Sequence, residues 1–515
     1  MAPRPGSPAL DAGVPIDELV LDQRGFPRIR DGNDETGARP DIGAYEAQAA
    51  PTAVTPNPIV VTTAADENDP NGTLGGGVSL REALRDGGPA GISFDAALNG
   101  QTITLAGGLD LPVYKSVTID ASALPSGLSI DGGTGTNRIF TVASGTTVSL
   151  VSLTLRNGHG QGQDLFVGGG AISNHGTLTL TNCTLTGSST TTFGGAIFND
   201  TTGTLTLTGC QLRLNHADDA GGAIQNVGTL TSCTLALNSA TNSGGAIINN
   251  GPLTATNCTF TSNTAKKGGA LDTLYSGGQP TLTGCTFTAN TATTDVNPNT
   301  GLGGAIYNDN NLAMTGCTFA SNQTAGTLTL FDTTSGYGGA IYNPAGKVLT
   351  ATNCTFTGNS SVYNGGAIAS RGSLTLTHCT FAGNAAAFPS YGGAISAEGG
   401  TLSLGYSIVA GNTANSGPDI YKPASGGATI MPVGTNLIGK NNTVSGDFQQ
   451  GPLVGIDASP VVANLGPLAS NGGPTQTMLP QPGSIAIDAA TPTTPPYPHP
   501  HHRPARPAAA HGWRW

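Results

Sequence analysis

Eight cysteines, a histidine between two glycines and a few paired charges are the side chains of this 515-residue chain that could do chemistry. The thiols of Cys183, Cys210, Cys233, Cys258, Cys285, Cys317, Cys354 and Cys379 could pair as disulfides, serve redox chemistry or hold zinc. Gly158-His159-Gly160 together with Asp218-Asp219 could supply the acid and base of glycosidic cleavage. Lys266-Lys267 could offer a lyase base, the acidic stretch DENDPN at 66–71 could offer oxygen ligands to calcium, and His499, His501 and His502 could bind a metal.

Spacing weighs against each of these. The cysteines fall one per repeat, 10 to 15 residues after a Gly-Gly-Ala triplet, and no Cys-x-x-Cys or paired-His spacing accompanies them. Side chains stacked in register run parallel rather than converging, so the thiols read as an inert buried ladder, and Ser407 stands where a ninth repeat would place its cysteine. In polygalacturonases, to which Gly-His-Gly is similar, the aspartate pair precedes that motif and Arg-x-Lys follows it. Here the pair comes about two repeats later and no Arg-x-Lys follows, so both motifs read as solvated turns. The lysine pair reads as solubilising, the acidic stretch lacks the spacing of a calcium loop, and the three histidines lie in a proline-rich tail. No catalytic, cofactor-binding or metal-binding residue is expected.

What positions these residues is a repeat. Gly-Gly-Ala triplets begin at Gly169, Gly194, Gly221, Gly244, Gly268, Gly303, Gly338, Gly365 and Gly392, spaced by 25, 27, 23, 24, 35, 35, 27 and 27 residues. Two residues after each cysteine comes Leu or Phe, from Leu185 to Phe381, on the same side of a strand. Three residues before it comes another apolar residue, an odd offset that demands a bend where Asn182, Gly209, Ser232, Asn257, Gly284, Gly316, Asn353 and His378 sit. Five residues after it stand Asn215, Asn238, Asn263, Asn290, Asn322, Asn359 and Asn384, with Asn412 in the ninth repeat and Ser188 in the first. The pattern predicts an all-β fold: a right-handed, single-stranded parallel β-helix with three short strands per coil, whose asparagines form a turn ladder.

An open coil end needs a cover. In VSLREALRDGG, residues 78–88, Ser79 and Glu82 have capping-box spacing and Gly87 is a stop, so a short N-terminal capping helix is expected. The charge of -11, with 20 Lys and Arg, excludes a basic groove for nucleic acid. No apolar run reaches membrane-spanning length, and the residues after Met1 do not read as a secretory leader.

The Gly-Gly-Ala-Ile and Phe-x-x-Asn elements resemble the repeats of polymorphic outer-membrane proteins. VSLREAL resembles the CSLREA motif of bacterial surface β-helix proteins, with Val78 in place of its cysteine. NGGPTQTMLPQPGSIAIDAA at 471–490 and DQRGFPR…PDIGAYE within 22–46 resemble two parts of the choice-of-anchor Q domain. PGSPALDAG at 5–13 echoes PGSIAIDAA at 482–490, so residues 1–50 read as the remnant of an upstream module. The remaining divisions are a linker at 51–58, the cap and first coils at 59–168, the repeat β-helix at 169–415, C-terminal coils with an anchor-like segment at 416–490, and a disordered Pro/His/Arg tail at 491–515. The resemblance implies an exported or surface-displayed bacterial protein, adhesin-like and non-enzymatic, with glycans or surface proteins as partners and a monomeric state. A polysaccharide lyase or hydrolase and a non-functional gene fragment are the alternatives. Partner contacts are expected at the two 35-residue intervals, in LYSGGQP, TTDVNPNTGL and TLTLFDTTSGY.

Overall fold

The structure is a computed structural model that describes residues 58–489, apart from 68–76, 87–90, 107–109, 135–136, 161–167, 275–277, 296, 327–333, 388–389, 445, 449–450. Residues 1–57 and 490–515, and with them the upstream remnant, most of the linker, the tail and its histidines, lie outside the described residues.

Alternation makes the coil walls. Thr177–Thr181, Thr-Leu-Thr-Leu-Thr, buries Leu178 and Leu180 completely and leaves the β-branched threonines on the outer face. Each such strand pairs in parallel with its counterpart one coil away, Leu178 with Val148 on one side and Leu205 on the other. The chain is thus a parallel β-helix, with three main sheets of 14, 12 and 13 strands winding around one apolar interior.

Bends separate the walls. Every residue just before a cysteine has positive φ, from Asn182 at 53° to Gly209 at 64°, and Tyr406 before Ser407 does likewise at 50°. Asn, Gly, Ser and His tolerate that left-handed conformation better than most residues. A second left-handed position follows four residues after each cysteine and carries Leu214, Leu237, Ser262, Ala289 and Ser321 as well as glycines. It turns the chain into two- and three-residue strands such as Ser189–Thr190 and His216–Ala217, which add a fourth, 9-stranded ladder to the three strands per coil read from the repeat.

The glycine pair shapes the remaining corner. Gly338 has φ 71°, and a β-carbon there would lie 2.1 Å from the Ile341 carbonyl oxygen. A β-carbon on Gly339 would lie 2.1 Å from the carbonyl oxygen of Gly366 in the next coil. The first glycine is needed by its own coil and the second by its neighbour.

At the N-terminal end α1, Leu80–Asp86, buries Leu80 and Ala83 over the interior. Its capping box closes reciprocally: the Ser79 N–H donates to Glu82 Oε2 at 2.8 Å and the Glu82 N–H to Ser79 Oγ at 3.2 Å. Asp66, an acid of the DENDPN stretch, is taken up by Arg81 of this helix at 2.8 Å. At the other end Leu465–Ala469 and Thr477–Pro480 form an antiparallel hairpin. Its connection doubles back along the helix, where Thr475 Oγ1 donates to the Gly316 carbonyl at 2.8 Å.

Candidate functional site

Interior ladders account for the residues that the sequence singles out. Cys183 to Cys379 are all free and buried. Their thiols donate to backbone carbonyls, as Cys183 does to Leu150 at 3.3 Å, and Ser407 Oγ does the same to Gly405 at 2.8 Å. At Cys354 the bond to Cys317 lowers the thiol's pKa, but the bond to Cys379 and burial outweigh it and hold it above its ordinary value, so no reactive thiolate forms there.

The asparagines make a continuous chain of side-chain amides. Asn322 Oδ1 accepts from the Asn290 N–H at 3.0 Å and Nδ2 at 2.9 Å, while Asn322 Nδ2 donates to the Phe287 carbonyl and to Asn359 Oδ1, each at 2.9 Å. The same contacts link Asn215, Asn238 and Asn263 below it and Asn359, Asn384 and Asn412 above. Ser188 begins the chain by donating its N–H to Asn215, and Asp419 ends it by accepting from Asn412 Nδ2 at 2.8 Å. Burial pushes the Asp419 carboxyl up to about 6 against the hydrogen bonds from Asn412 and Lys440.

The scattered polar motifs are not brought together. His159 and His216 stand two rungs apart on the fourth ladder, each bonded to a serine of the next coil, Ser189 and Ser239. Asp218 takes His216 Nε2, Asp219 takes Asn242, and Lys266 takes Asp295 at 2.9 Å. Ser173, His175 and Asp200 have the hydrogen-bond order of a nucleophilic triad at 3.1 and 2.9 Å, but Ser173 is fully buried, with its hydroxyl closed off from the surface.

A different constellation appears on the outer face of the 12-stranded sheet, whose repeat strands follow the Gly-Gly-Ala triplets. In register along it run Asp272, Tyr307, Tyr342, Ala369, Ser396 and Tyr421. Beside them stand residues just ahead of the triplets, Lys267, Leu302, Tyr337, Asn364 and Tyr391. The glycine corner folds this second row over the first: the Tyr337 ring lies 5.9 Å from Tyr342 and 5.3 Å, edge-on, from Tyr363, and Tyr391 stacks on Tyr421 at 4.5 Å. Leu302 and Tyr337 are the last residues of two of the long insertions, TTDVNPNTGL and TLTLFDTTSGY. Residues 296 and 327–333 of those insertions, and 275–277 of LYSGGQP, lie outside the described residues.

Tyr337, Tyr363, Tyr391 and Tyr421 line an open cleft of about 440 Å³ whose polar wall is Asn364, Arg371 and Glu398. Arg371 lies over the Tyr337 ring at 5.0 Å and its Nε donates to Glu398 Oε2 at 3.1 Å. Asn364 Nδ2 and Ser396 Oγ donate to the other oxygen at 2.8 and 3.1 Å. Burial would lower the Arg371 pKa, but Tyr342 and Glu398 override it and hold the guanidinium above its ordinary value. Burial also raises the Tyr337 and Tyr342 phenols, which remain neutral donors. At the far end of the strip Asp272 is buried with Oδ1 unpaired among the described residues. Desolvation pushes its carboxyl up to about 7.

Comparison with known proteins agrees with the winding. The family model described as a right handed beta helix region matches residues 168–334 and 224–413. No curated protein matches the chain. A solved structure, the tailspike protein 3 of bacteriophage CBA120, is similar at 14% identity over 72% of this chain and 61% of its own, with a TM-score of 0.36. This chain therefore spans less than two thirds of the tailspike's length. The protein is a right-handed parallel β-helix. Among the described residues no helix is long and apolar enough to cross a membrane.

Proposed function

We propose that this β-helix is an extracellular, adhesin-like binding rod without catalytic activity, and that its ligand sits in the tyrosine cleft. One observation carries the reading: coil after coil conserves its interior contacts, while four successive coils depart from the pattern on a single outer face to build an aromatic cleft with a charged clamp. The similarity of the repeats and of VSLREAL to bacterial surface β-helix proteins supports display outside the cell.

Two features favour binding over turnover. Glu398 is the one carboxylate among the described residues that line the cleft, and the buried Asp272 lies four rungs of the 12-stranded sheet away, roughly 19 Å at about 4.8 Å per rung. Paired carboxylates of glycosidases stand about 5–10 Å apart. Arg371, held above its ordinary pKa, is no base.

The test is an array of surface glycans and surface proteins probed with the wild-type protein and with Tyr363→Ala and Tyr391→Ala, alongside chromatography of the incubated glycans. The reading expects retention without product and at least a tenfold loss in both variants. Reproducible cleavage of any glycan, lost in Glu398→Gln, would replace it with a polysaccharide-active enzyme.

A further inference from the structure

Resting on the cleft as the ligand site, we infer that its ligand is a linear, electrically neutral oligosaccharide laid parallel to the helix axis. Charge narrows the choice first. Arg371 is already engaged by Glu398, Lys422 by Asp447 at 3.0 Å, and Lys347 by Asp309 at 3.0 Å. The cationic groups around the cleft thus face carboxylates of their own, on a chain of formal charge -11. A uronate, sialate or sulfate would have to break one of these pairs against that field.

Shape narrows it further. The strands beneath the cleft, such as Ile368–Ser370, are hydrogen-bonded on both sides, so no free edge remains for an extended peptide to join. What the cleft offers is partly exposed tyrosine faces: Tyr363, Tyr391 and Tyr421 are each half-buried. The C–H faces of a pyranose stack on such rings through apolar and dispersion contact, and its rim hydroxyls need nearby donors and acceptors. Asn364, Arg371 and Glu398 supply both kinds, held by their mutual bonds before any ligand arrives.

Periodicity sets the direction. The three partly exposed tyrosines, Tyr363, Tyr391 and Tyr421, come from three successive coils stacked at about 4.8 Å per rung, so a polymer running along the axis meets a new aromatic contact at each of them, while Tyr337 lies buried beneath Arg371. A ligand lying across the axis would leave the cleft after one or two.

Isothermal titration of the full chain against two hexasaccharide panels tests this. The neutral panel is cellohexaose, maltohexaose, xylohexaose and laminarihexaose; the anionic panel is hexagalacturonate and a hyaluronan hexasaccharide. Saturable binding of a neutral hexamer is expected, weakened at least tenfold by Tyr391→Ala and changed less than twofold between 0.05 and 0.5 M NaCl (about 0.4 kcal/mol). Its trimer should bind at least tenfold more weakly, because it spans fewer coils. Salt-sensitive binding of an anionic hexamer, equal affinity for trimer and hexamer, or no neutral binding while the array shows tyrosine-dependent retention of another ligand would each overturn the inference and leave the cleft as the binding site. No tyrosine-dependent binding of any kind would overturn both.

Discussion

The interior of this β-helix and its tyrosine strip are built from the same coils and differ in how they tolerate change. Inside, one residue type answers itself at each rung: Phe260, Phe287, Phe319, Phe356 and Phe381 stack at 4.5 to 4.8 Å with rings within 5° of parallel. Outside, one register position of the 12-stranded sheet passes through Asp272, Tyr307, Tyr342, Ala369 and Ser396. A buried position is held to its type because its partners are copies of itself, above and below. The outer row has no such constraint, so its composition reports on something other than stacking.

The sharpest way to break this contrast is at the corner that both regions share. Gly339→Ala pushes a β-carbon into the Gly366 carbonyl and should cost about 4–5 kcal/mol or prevent folding, seen as loss of the thermal transition. A cost below about 1 kcal/mol would mean that the corner yields and that the glycine pairs are not structural. Next comes Asn322→Leu, which strands the Asn290 amide and the Phe287 carbonyl in the interior and should cost about 3–5 kcal/mol in denaturant titration.

Asp272 sharpens the comparison from the outer face, since it is a strip residue with an interior level of burial. Its folded pKa, about 7, lies well above the ordinary aspartate value of about 3.9. Between those values the folded state keeps a proton that the unfolded chain has lost, so stability falls as pH rises from about 4 to about 7 and levels off above. Asp272→Asn should remove that contribution, on the order of 4 kcal/mol, and raise the melting temperature at pH 8 more than at pH 4. Equal shifts at both pH values would show that the carboxyl is solvated.

Smallest are the effects of Cys317→Ser and Tyr391→Ala on stability. Ser407 already fills a cysteine position with the same hydrogen bond, so Cys317→Ser should cost about 1 kcal/mol or less, and native thiols should resist an aqueous disulfide reagent. Tyr391→Ala, half-buried on the strip, should cost about 0.5 kcal/mol or less while weakening retention on the array at least tenfold. A larger stability cost would make the tyrosine part of the scaffold.

Period, parallel stacking, the bend before each cysteine and the Ser79/Glu82 cap were legible in the residues, because each depends on local backbone preference or on a coil meeting its own copy. The second bend was not: Leu214, Leu237 and Ala289 adopt positive φ although nothing in their chemistry marks it, and stacking on neighbouring coils imposes it. Nor was the cleft legible, since Tyr337 and Tyr421 lie 84 residues apart and share no motif. The amino-acid sequence by itself determined the rod. Only the tertiary structure decided which outer residues meet, because rung stacking places the non-repeating side chains of successive coils together, and no local preference encodes that neighbourhood.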